Sequence, residues 1–141
     1  MVEVHIKVEK KLLLSPKGEQ FRDELLNQLS SDGQLIMESV TPRRTSKGAN
    51  SYRVIKNGNV HEITNNVFNL PYVNDGTGLY GPRHQRIYPK HAKVLHFFWK
   101  GQEWFLPSVR GQVPKRFVEK GVNDIVKAIP KAAVIAKNKT F

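Results

Sequence analysis

Five histidines are the side chains of this sequence best suited to proton transfer. His84 and His91 lie close to Lys90 in a basic segment that also contains Arg83 and Arg86. Imidazoles can move protons while cations stabilise phosphate charge, so this group suggests a His-dependent ribonuclease. A basic surface loop is the simpler interpretation. The other three histidines, His5, His61 and His96, lie in predicted strands, where a histidine on a polar strand face is commonplace.

Other catalytic classes find little support. No two histidines have the i, i+4 spacing and accompanying Glu of a zinc protease, and the chain has no cysteine. The cluster Gly76-Thr77-Gly78 with Gly81 lacks the Gly-Lys-Ser/Thr ending of a phosphate-binding loop. We interpret these glycines as serving unusual backbone angles or close chain approach. We therefore predict no catalytic residue, no metal site and no cofactor.

The positive charge is concentrated in the second half of the chain. The whole sequence has a net charge of +11, and residues 81–141 carry 13 basic but only three acidic side chains. Such asymmetry indicates a polyanionic neighbour, either nucleic acid or an acidic protein surface, although a solvated basic face is the simplest explanation. The predicted basic face comprises Arg83, Arg86, Lys90, Lys93, Arg110, Lys115 and Arg116.

A nucleic-acid-binding protein is the main alternative on these grounds. Several of the cations alternate with Tyr88, and phosphate contacts need cations while base stacking needs exposed aromatic rings. No recognised nucleic-acid module is present. A further aromatic cluster lies in two predicted strands, where we expect core packing to explain most of its members: Phe97, Phe98, Trp99, Trp104 and Phe105.

The length of 141 residues fits one domain, which we place at residues 1–130, followed by a basic extension over 131–141. No apolar run is long enough to cross a membrane. The first eight residues alternate polar and apolar, which predicts a strand and not a signal peptide. Together with the absence of cysteine, this fits a protein made in a reducing cytoplasm.

A helix is predicted over residues 16–40. Ser15-Pro16 is a typical helix start, and Thr41-Pro42 is a typical end. The segment Ser30-Ser31-Asp32-Gly33 interrupts the apolar face, so we expect one bent helix or two short ones.

The middle of the chain alternates hairpins with loops. Asn57-Gly58 predicts a tight turn between strands at 52–55 and 60–63, and Lys100-Gly101 predicts another between strands at 93–99 and 102–106. Residues 42–51 and 69–92 are predicted to be mobile loops, because both are rich in small, polar or turn-forming residues.

A second helix is expected to begin at Pro114 and to stop at Pro130, with an apolar face of Phe117, Val122, Ile125 and Ile129 and with Gly121 allowing close approach. The predicted fold class is therefore α+β. An antiparallel sheet of two hairpins plus an N-terminal strand would be packed by an N-terminal long helix and a C-terminal helix.

Three spaced motifs in residues 72–118 carry a resemblance to a known family. They are the Tyr-Val-Asn-Asp-Gly-Thr-Gly-Leu-Tyr-Gly-Pro of 72–82, the Ile-Tyr-Pro-Lys-His-Ala-Lys-Val-Leu-His-Phe of 87–97, and the Val-Arg-Gly-Gln-Val-Pro-Lys-Arg-Phe of 109–117. This pattern resembles the neck and tail-completion family of long-tailed phages. The sequence departs from the family in having Asp75 where many relatives carry Glu, and in replacing the usual Pro-x-Asp-Thr-Gly turn by residues 41–48.

The resemblance implies a non-enzymatic structural protein of the virion, assembled in the host cytoplasm and located at the head–tail junction. It would form a homo-oligomeric ring, of six or twelve copies, between head-closure proteins and the tail tube or tail terminator. A ring repeats one heterologous interface that closes by rotation. The expected interface residues are Tyr72, Asp75, Gly76, Thr77, Gly78, Tyr80, Gly81, Pro82, Arg110, Gln112 and Pro114.

The basic face would then line a DNA channel or contact acidic partners. A conduit for translocating DNA must not hold it tightly, and each neutralised phosphate adds affinity through counterion release. We therefore expect protein contacts for at least half of these cations, with only transient contact to DNA.

Overall fold

A computed structural model describes residues 2–7, 15–42 and 47–141. Within these residues the chain divides into two compact units, which we call the helix–sheet unit (Met1–Phe68 with Phe117–Phe141) and the hairpin unit (Asn69–Arg116). The strands are β1 (Val2–Lys7), β2 (Arg53–Asn57), β3 (Val60–Asn65), β4 (Leu95–Trp99) and β5 (Gln102–Leu106), and the α-helices are α1 (Pro16–Val40), α2 (Leu70–Asp75) and α3 (Phe117–Thr140).

The α+β fold class with antiparallel strands is confirmed. In the helix–sheet unit, β3 is the central strand and pairs with β1 on one side and β2 on the other. The hairpin β4–β5 forms a separate two-stranded sheet in the hairpin unit, so the two predicted hairpins do not share one sheet.

The predicted N-terminal strand alternates as expected. Val2 and Val4 are buried while Glu3 and His5 are exposed, because successive side chains of a strand point to opposite faces. Residues 8–14, which contain the predicted end of this strand and the apolar segment after it, lie outside the described residues, as do residues 43–46 of the predicted loop.

Both predicted ends of α1 are confirmed. The Ser15 side chain accepts a hydrogen bond from the Gly18 N–H at 3.0 Å, and Pro16 occupies the first helical turn. At the other end, Thr41 leaves the helical conformation, and its hydroxyl donates to the Met37 carbonyl at 2.6 Å and contacts the Tyr52 hydroxyl at 2.6 Å.

Of the two predicted alternatives for residues 16–40, two short helices are not observed, because α1 is continuous from Pro16 to Val40. Gly33 is buried, and a Cβ at this position would come within 2.6 Å of Ile63 Cδ1 and 3.3 Å of Ile125 Cδ1. The absent side chain therefore lets β3 and α3 pack closely on this part of the helix. This close packing offsets the helix-destabilising effect of glycine.

The prediction that a helix begins at Pro114 is wrong by three residues. The Lys115 N–H donates to the Val73 carbonyl at 3.0 Å and the Arg116 N–H to the Asn74 carbonyl at 3.2 Å. Arg116 also has a φ of 50°, which is incompatible with a right-handed helix. The helix therefore begins at Phe117.

The prediction that Pro130 ends this helix is also wrong, since α3 continues to Thr140. Residues 131–140, expected to be an extension, are thus helical, and Ala132 and Ala136 are fully buried. Burial of this last segment offsets the loss of the hydrogen bond that proline removes.

The prediction of one domain over residues 1–130 stays a prediction.

The buried face of α3 differs in part from the predicted one. Phe117 and Ile125 are buried as expected, but Val122 and Ile129 are exposed. Gly121 allows close approach as predicted, because a Cβ there would contact the Met37 side chain of α1. The observed face repeats mainly every four residues and comprises Phe117, Gly121, Ile125, Ala132, Ala136 and Thr140.

Among the described ranges 2–7, 15–42 and 47–141, no helix combines the length and the apolar composition that a bilayer crossing requires.

Candidate partner-binding surface

The hairpin unit contains the three motifs singled out in the sequence, and backbone hydrogen bonds connect them. The Thr77 N–H donates to the Gln112 carbonyl at 2.9 Å, and the Leu79 N–H donates to the Arg110 carbonyl at 2.8 Å. The Gln112 N–H in turn donates to the Thr77 hydroxyl oxygen at 2.8 Å. The first motif and the third are therefore joined directly.

The second motif is joined to the third by an antiparallel bridge. The Ile87 N–H donates to the Val109 carbonyl at 2.9 Å, and the Val109 N–H donates back to Ile87 at 3.0 Å. Beside this bridge, the Arg86 Nε donates to the Ser108 hydroxyl at 2.9 Å. These bonds fix the position of a basic side chain on the unit's surface.

Glycines allow the first and third motifs to approach closely, as predicted for the Gly76–Gly81 cluster. Gly78 has a φ of 62°, and a Cβ on it would collide with the Arg110 carbonyl. Gly111 has a φ of 97°, and a Cβ there would collide with the Thr77 carbonyl. Both positions combine left-handed backbone with backbone-to-backbone contact, which only glycine tolerates.

The segment 69–92 is more ordered than the predicted loop. It contains α2 and a short 3-10 helix at Gly78–Tyr80, and the His84 N–H closes one further turn by donating to the Gly81 carbonyl. The prediction of a long irregular loop is therefore wrong for its first half. Sequence patterns missed these helices because Gly and Pro residues, which usually mark loops, here cap and start short helical turns.

A groove of about 550 Å³ lies on this unit, and we call it the basic groove. It contains six of the predicted interface residues and three of the predicted cations. Tyr88, which is 64% exposed, lies on its wall. No carboxylate lines it. Its lining comprises Tyr72, Gly76, Thr77, Gly78, Gly81, Pro82, Arg83, Gln85, Arg86, Ile87, Tyr88 and Lys90.

A second groove, of about 580 Å³, is lined mainly by apolar side chains, and we call it the aromatic groove. Arg110 and Gln112 contribute to its wall, and Thr77 lines both grooves. The aromatic side chains come from one face of the β4–β5 hairpin, where Phe97 pairs with Trp104. Its lining comprises Thr77, Phe97, Trp99, Trp104, Leu106, Val109, Arg110, Gly111 and Gln112.

The expectation that the β4–β5 aromatic residues form a core is wrong. Phe98 is 70% exposed and Phe105 is 60% exposed, and none of the five aromatic side chains is buried. On the hairpin face opposite the aromatic groove, His96 stacks on Phe105 with ring centroids 4.5 Å apart, and its Nε2 is hydrogen-bonded to the Glu103 carboxylate. A two-stranded sheet has no second layer that would cover both of its faces, so these rings remain in contact with solvent.

The remaining predicted residues lie outside both grooves. Asp75 and Tyr80 are exposed, and Pro114 packs beside the position that a Gly76 Cβ would occupy. Lys93, Lys115 and Arg116 are exposed as well. The predicted basic face is therefore divided, with Arg83, Arg86 and Lys90 in the basic groove and Arg110 at the aromatic groove.

The ribonuclease candidates are not brought into contact. His84, Lys90 and His91 are all exposed, and within residues 47–141 no hydrogen bond or ion pair joins them to one another. Among the described residues no group of three or more His, Asp or Glu side chains is arranged to hold a metal ion.

His61 is the histidine whose environment the sequence did not reveal. Only 5% of it is exposed, and its Nδ1 lies 3.2 Å from the Ser30 hydroxyl of α1. Burial lowers the pKa of His61, and the nearby Lys56 charge lowers that pKa further. Its strand position alone predicted a polar strand face, but the face that carries His61 packs against α1.

Comparisons with protein-family models, with curated proteins and with solved structures find no match to this chain.

Proposed function

We propose that this protein is a structural subunit of a tailed virus particle, forming an oligomeric ring at the head–tail junction. Its partners would be copies of itself, head-closure proteins on one side, and the tail tube or tail terminator on the other. The proposal rests on the resemblance of residues 72–118 to neck and tail-completion proteins, together with the properties of the hairpin unit.

The single observation that carries the proposal is the exposed aromatic hairpin. Phe98 and Phe105, on one face of the hairpin, are exposed by 70% and 60%, and Trp99, on the opposite face, by 47%. Clustered exposed apolar side chains of this size usually mark a protein–protein interface, because their contact with water is unfavourable. Aromatic residues are also enriched at the centres of such interfaces.

The scaffold around the hairpin supports the same proposal. Residues 72–82 and 109–116 are held by backbone hydrogen bonds and glycine contacts, and this arrangement presents two adjacent grooves. A surface whose backbone is fixed before binding loses little conformational entropy when a partner binds. Such preorganisation suits a subunit that must fit identical neighbours in a closed ring.

Deletion of the gene from a virus that carries it is the direct test. We expect filled heads and separate tails that fail to join, visible by negative-stain electron microscopy, and restoration of joined particles when the protein is supplied in trans. Labelled antibody against the protein should bind at the junction of normal particles. Joined, infectious particles that lack the protein would refute the proposal.

A surface variant tests the role of the hairpin more specifically. Phe98→Ser with Phe105→Ser should abolish complementation of the deletion while leaving the protein folded, because both side chains are exposed. Val126→Ser with Val134→Ser is the matched control, since both valines are 57% exposed on α3. Full complementation by the hairpin variant would show that assembly does not use this surface.

A further inference from the structure

The hairpin unit is strongly basic for its size. Residues 69–116 contain eight Lys and Arg side chains and only two carboxylates, Asp75 and Glu103. Glu103 is hydrogen-bonded to His96 on the β4–β5 hairpin. Neither carboxylate lines the basic groove, so its three cations present an uncompensated positive charge.

The basic groove also presents aromatic rings. Tyr88 is 64% exposed and Tyr72 is 50% exposed, and both line the groove together with Arg83, Arg86 and Lys90. Cations recruit any polyanion, but exposed rings between cations add a stacking surface for flat, unpaired bases. An acidic peptide would use the cations and gain little from the rings.

The size and rigidity of the groove fit such a ligand. Its volume of about 550 Å³ suits a short segment of a nucleic-acid strand. The hydrogen bond from Arg86 Nε to Ser108 at 2.9 Å orients one guanidinium before any ligand arrives. The Ile87–Val109 bridge fixes the backbone next to Tyr88.

We infer that the basic groove is a binding site for single-stranded nucleic acid, in which Arg83, Arg86 and Lys90 contact phosphates and Tyr88 stacks on a base. Bases of a duplex are already stacked and cannot lie on a tyrosine, so the site discriminates against double strands. This inference goes beyond the proposed function and does not depend on ring formation. Three of the chain's 23 basic residues are used, so most of the positive charge stays available for protein contacts.

The predicted affinity has a defined salt dependence. Three phosphate contacts on a single strand give a slope of log K against log salt of about −2. Affinity for a fluorescent oligothymidylate should therefore fall roughly 20-fold between about 50 mM and about 200 mM salt, measured by anisotropy on the full chain.

Charge variants test the phosphate contacts. Arg83→Gln with Lys90→Gln leaves one phosphate contact and should reduce the magnitude of the slope to about 0.7. Arg86 is not replaced, because its side chain also donates a hydrogen bond to Ser108. The matched control is Lys120→Gln with Lys127→Gln, which removes the same charge from exposed positions of α3. Equal slopes for the two double variants would overturn the inference, because binding would then depend on net charge alone.

Aromatic variants test the stacking. Tyr88→Ala should weaken oligothymidylate binding about tenfold, and Tyr88→Phe should retain it, because the ring and not the hydroxyl stacks. Tryptophan fluorescence, which reports Trp99 and Trp104 of the same unit, verifies that the variants are folded. Duplex DNA or a poly-glutamate peptide binding as tightly as oligothymidylate, with no loss in Tyr88→Ala, would overturn the assignment in favour of a general polyanion surface.

Discussion

The two units of this protein are stabilised in different ways. Of the thirteen buried hydrophobic side chains among the described residues, twelve lie in the helix–sheet unit and one, Leu70, lies in the hairpin unit. The first unit therefore has an ordinary apolar core. The second depends on backbone hydrogen bonds and on glycines that let two chain segments touch.

The two units also differ in where they place aromatic residues on strands. The hairpin unit places all of its Trp and Phe residues on a two-stranded sheet whose faces are both accessible. A unit that keeps its aromatic residues at the surface and fixes its backbone by other means is suited to binding. The helix–sheet unit supplies stability, and we expect substitutions in the two units to have correspondingly different effects.

The largest expected effect on stability comes from truncation of the apolar core. Leu26 of α1 is fully buried, so Leu26→Ala removes buried apolar surface and leaves a cavity. We expect a loss of about 3–4 kcal/mol in the free energy of unfolding. Urea unfolding followed by far-UV circular dichroism measures it.

Phe98→Ala is the matched truncation in the hairpin unit. It removes a larger side chain than Leu26→Ala does. Because Phe98 is 70% exposed, the expected loss in the free energy of unfolding is below about 1 kcal/mol. A loss similar to that of Leu26→Ala would show that the hairpin unit has an apolar core of its own, and the contrast between the units would be wrong.

A glycine substitution tests whether the hairpin unit depends on backbone contacts for its stability, as the helix–sheet unit depends on its apolar core. Gly111→Ala adds a methyl group that collides with the Thr77 carbonyl at a φ of 97°. Because the backbone strain and the collision add, we expect a loss of about 2–3 kcal/mol in the free energy of unfolding. Both tryptophans of the chain, Trp99 and Trp104, lie in this unit, so their fluorescence reports its unfolding.

Gly101→Ala provides the control for backbone strain without collision. Gly101 has a φ of 72°, yet a Cβ there would meet nothing within 4 Å. We expect the free energy of unfolding to fall by about 1 kcal/mol, because of the left-handed conformation alone. Equal losses for the two variants would mean that the contact between Gly111 and Thr77 contributes nothing to the unit.

Local sequence signals predicted the elements whose boundaries depend on local chemistry. The Ser15-Pro16 start of α1 and its end at Thr41 follow from capping and from the restriction before proline. The two tight turns were also predicted, although the first lies at Gly58-Asn59, one residue later than expected, because Asn57 pairs with Val60. At Lys100-Gly101 both residues have positive φ, as a two-residue hairpin turn favours.

Signals that depend on tertiary contact were interpreted wrongly. Pro130 was predicted to end a helix and Gly33 to bend or divide one, but α3 runs through Pro130 and α1 is not divided at Gly33, because packing compensates for the local cost. The aromatic residues of β4 and β5 match the pattern of a buried hairpin, and only the structure shows that they are exposed. In the candidate surface, the close chain approach at the glycines of residues 76–81 was predicted from the sequence, whereas the grooves beside them were not.

The smallest expected effect concerns a polar contact inside the helix–sheet unit. Burial lowers the pKa of His61 in the folded protein below that in the unfolded chain, which is about 6.5. The unfolded chain therefore binds a proton more readily, and protonation favours unfolding. The contribution of neutral His61 is fully present above about pH 6.5 and is lost as the pH falls through the lower folded-state pKa.

Replacement of His61 should remove this component of the pH dependence. In His61→Asn, the decrease in unfolding free energy upon acidification from about pH 7 to about pH 5 should be smaller than in the original protein, even if stability is lower at both pH values. His84→Asn is the control, since His84 is exposed in the hairpin unit and Asn tolerates its φ of 50°. A pH dependence unchanged in His61→Asn would mean that His61 can be protonated without cost in the folded state. The buried contact between β3 and Ser30 of α1 would then be open to water, and the helix–sheet unit would be less tightly closed at this point than its apolar core indicates.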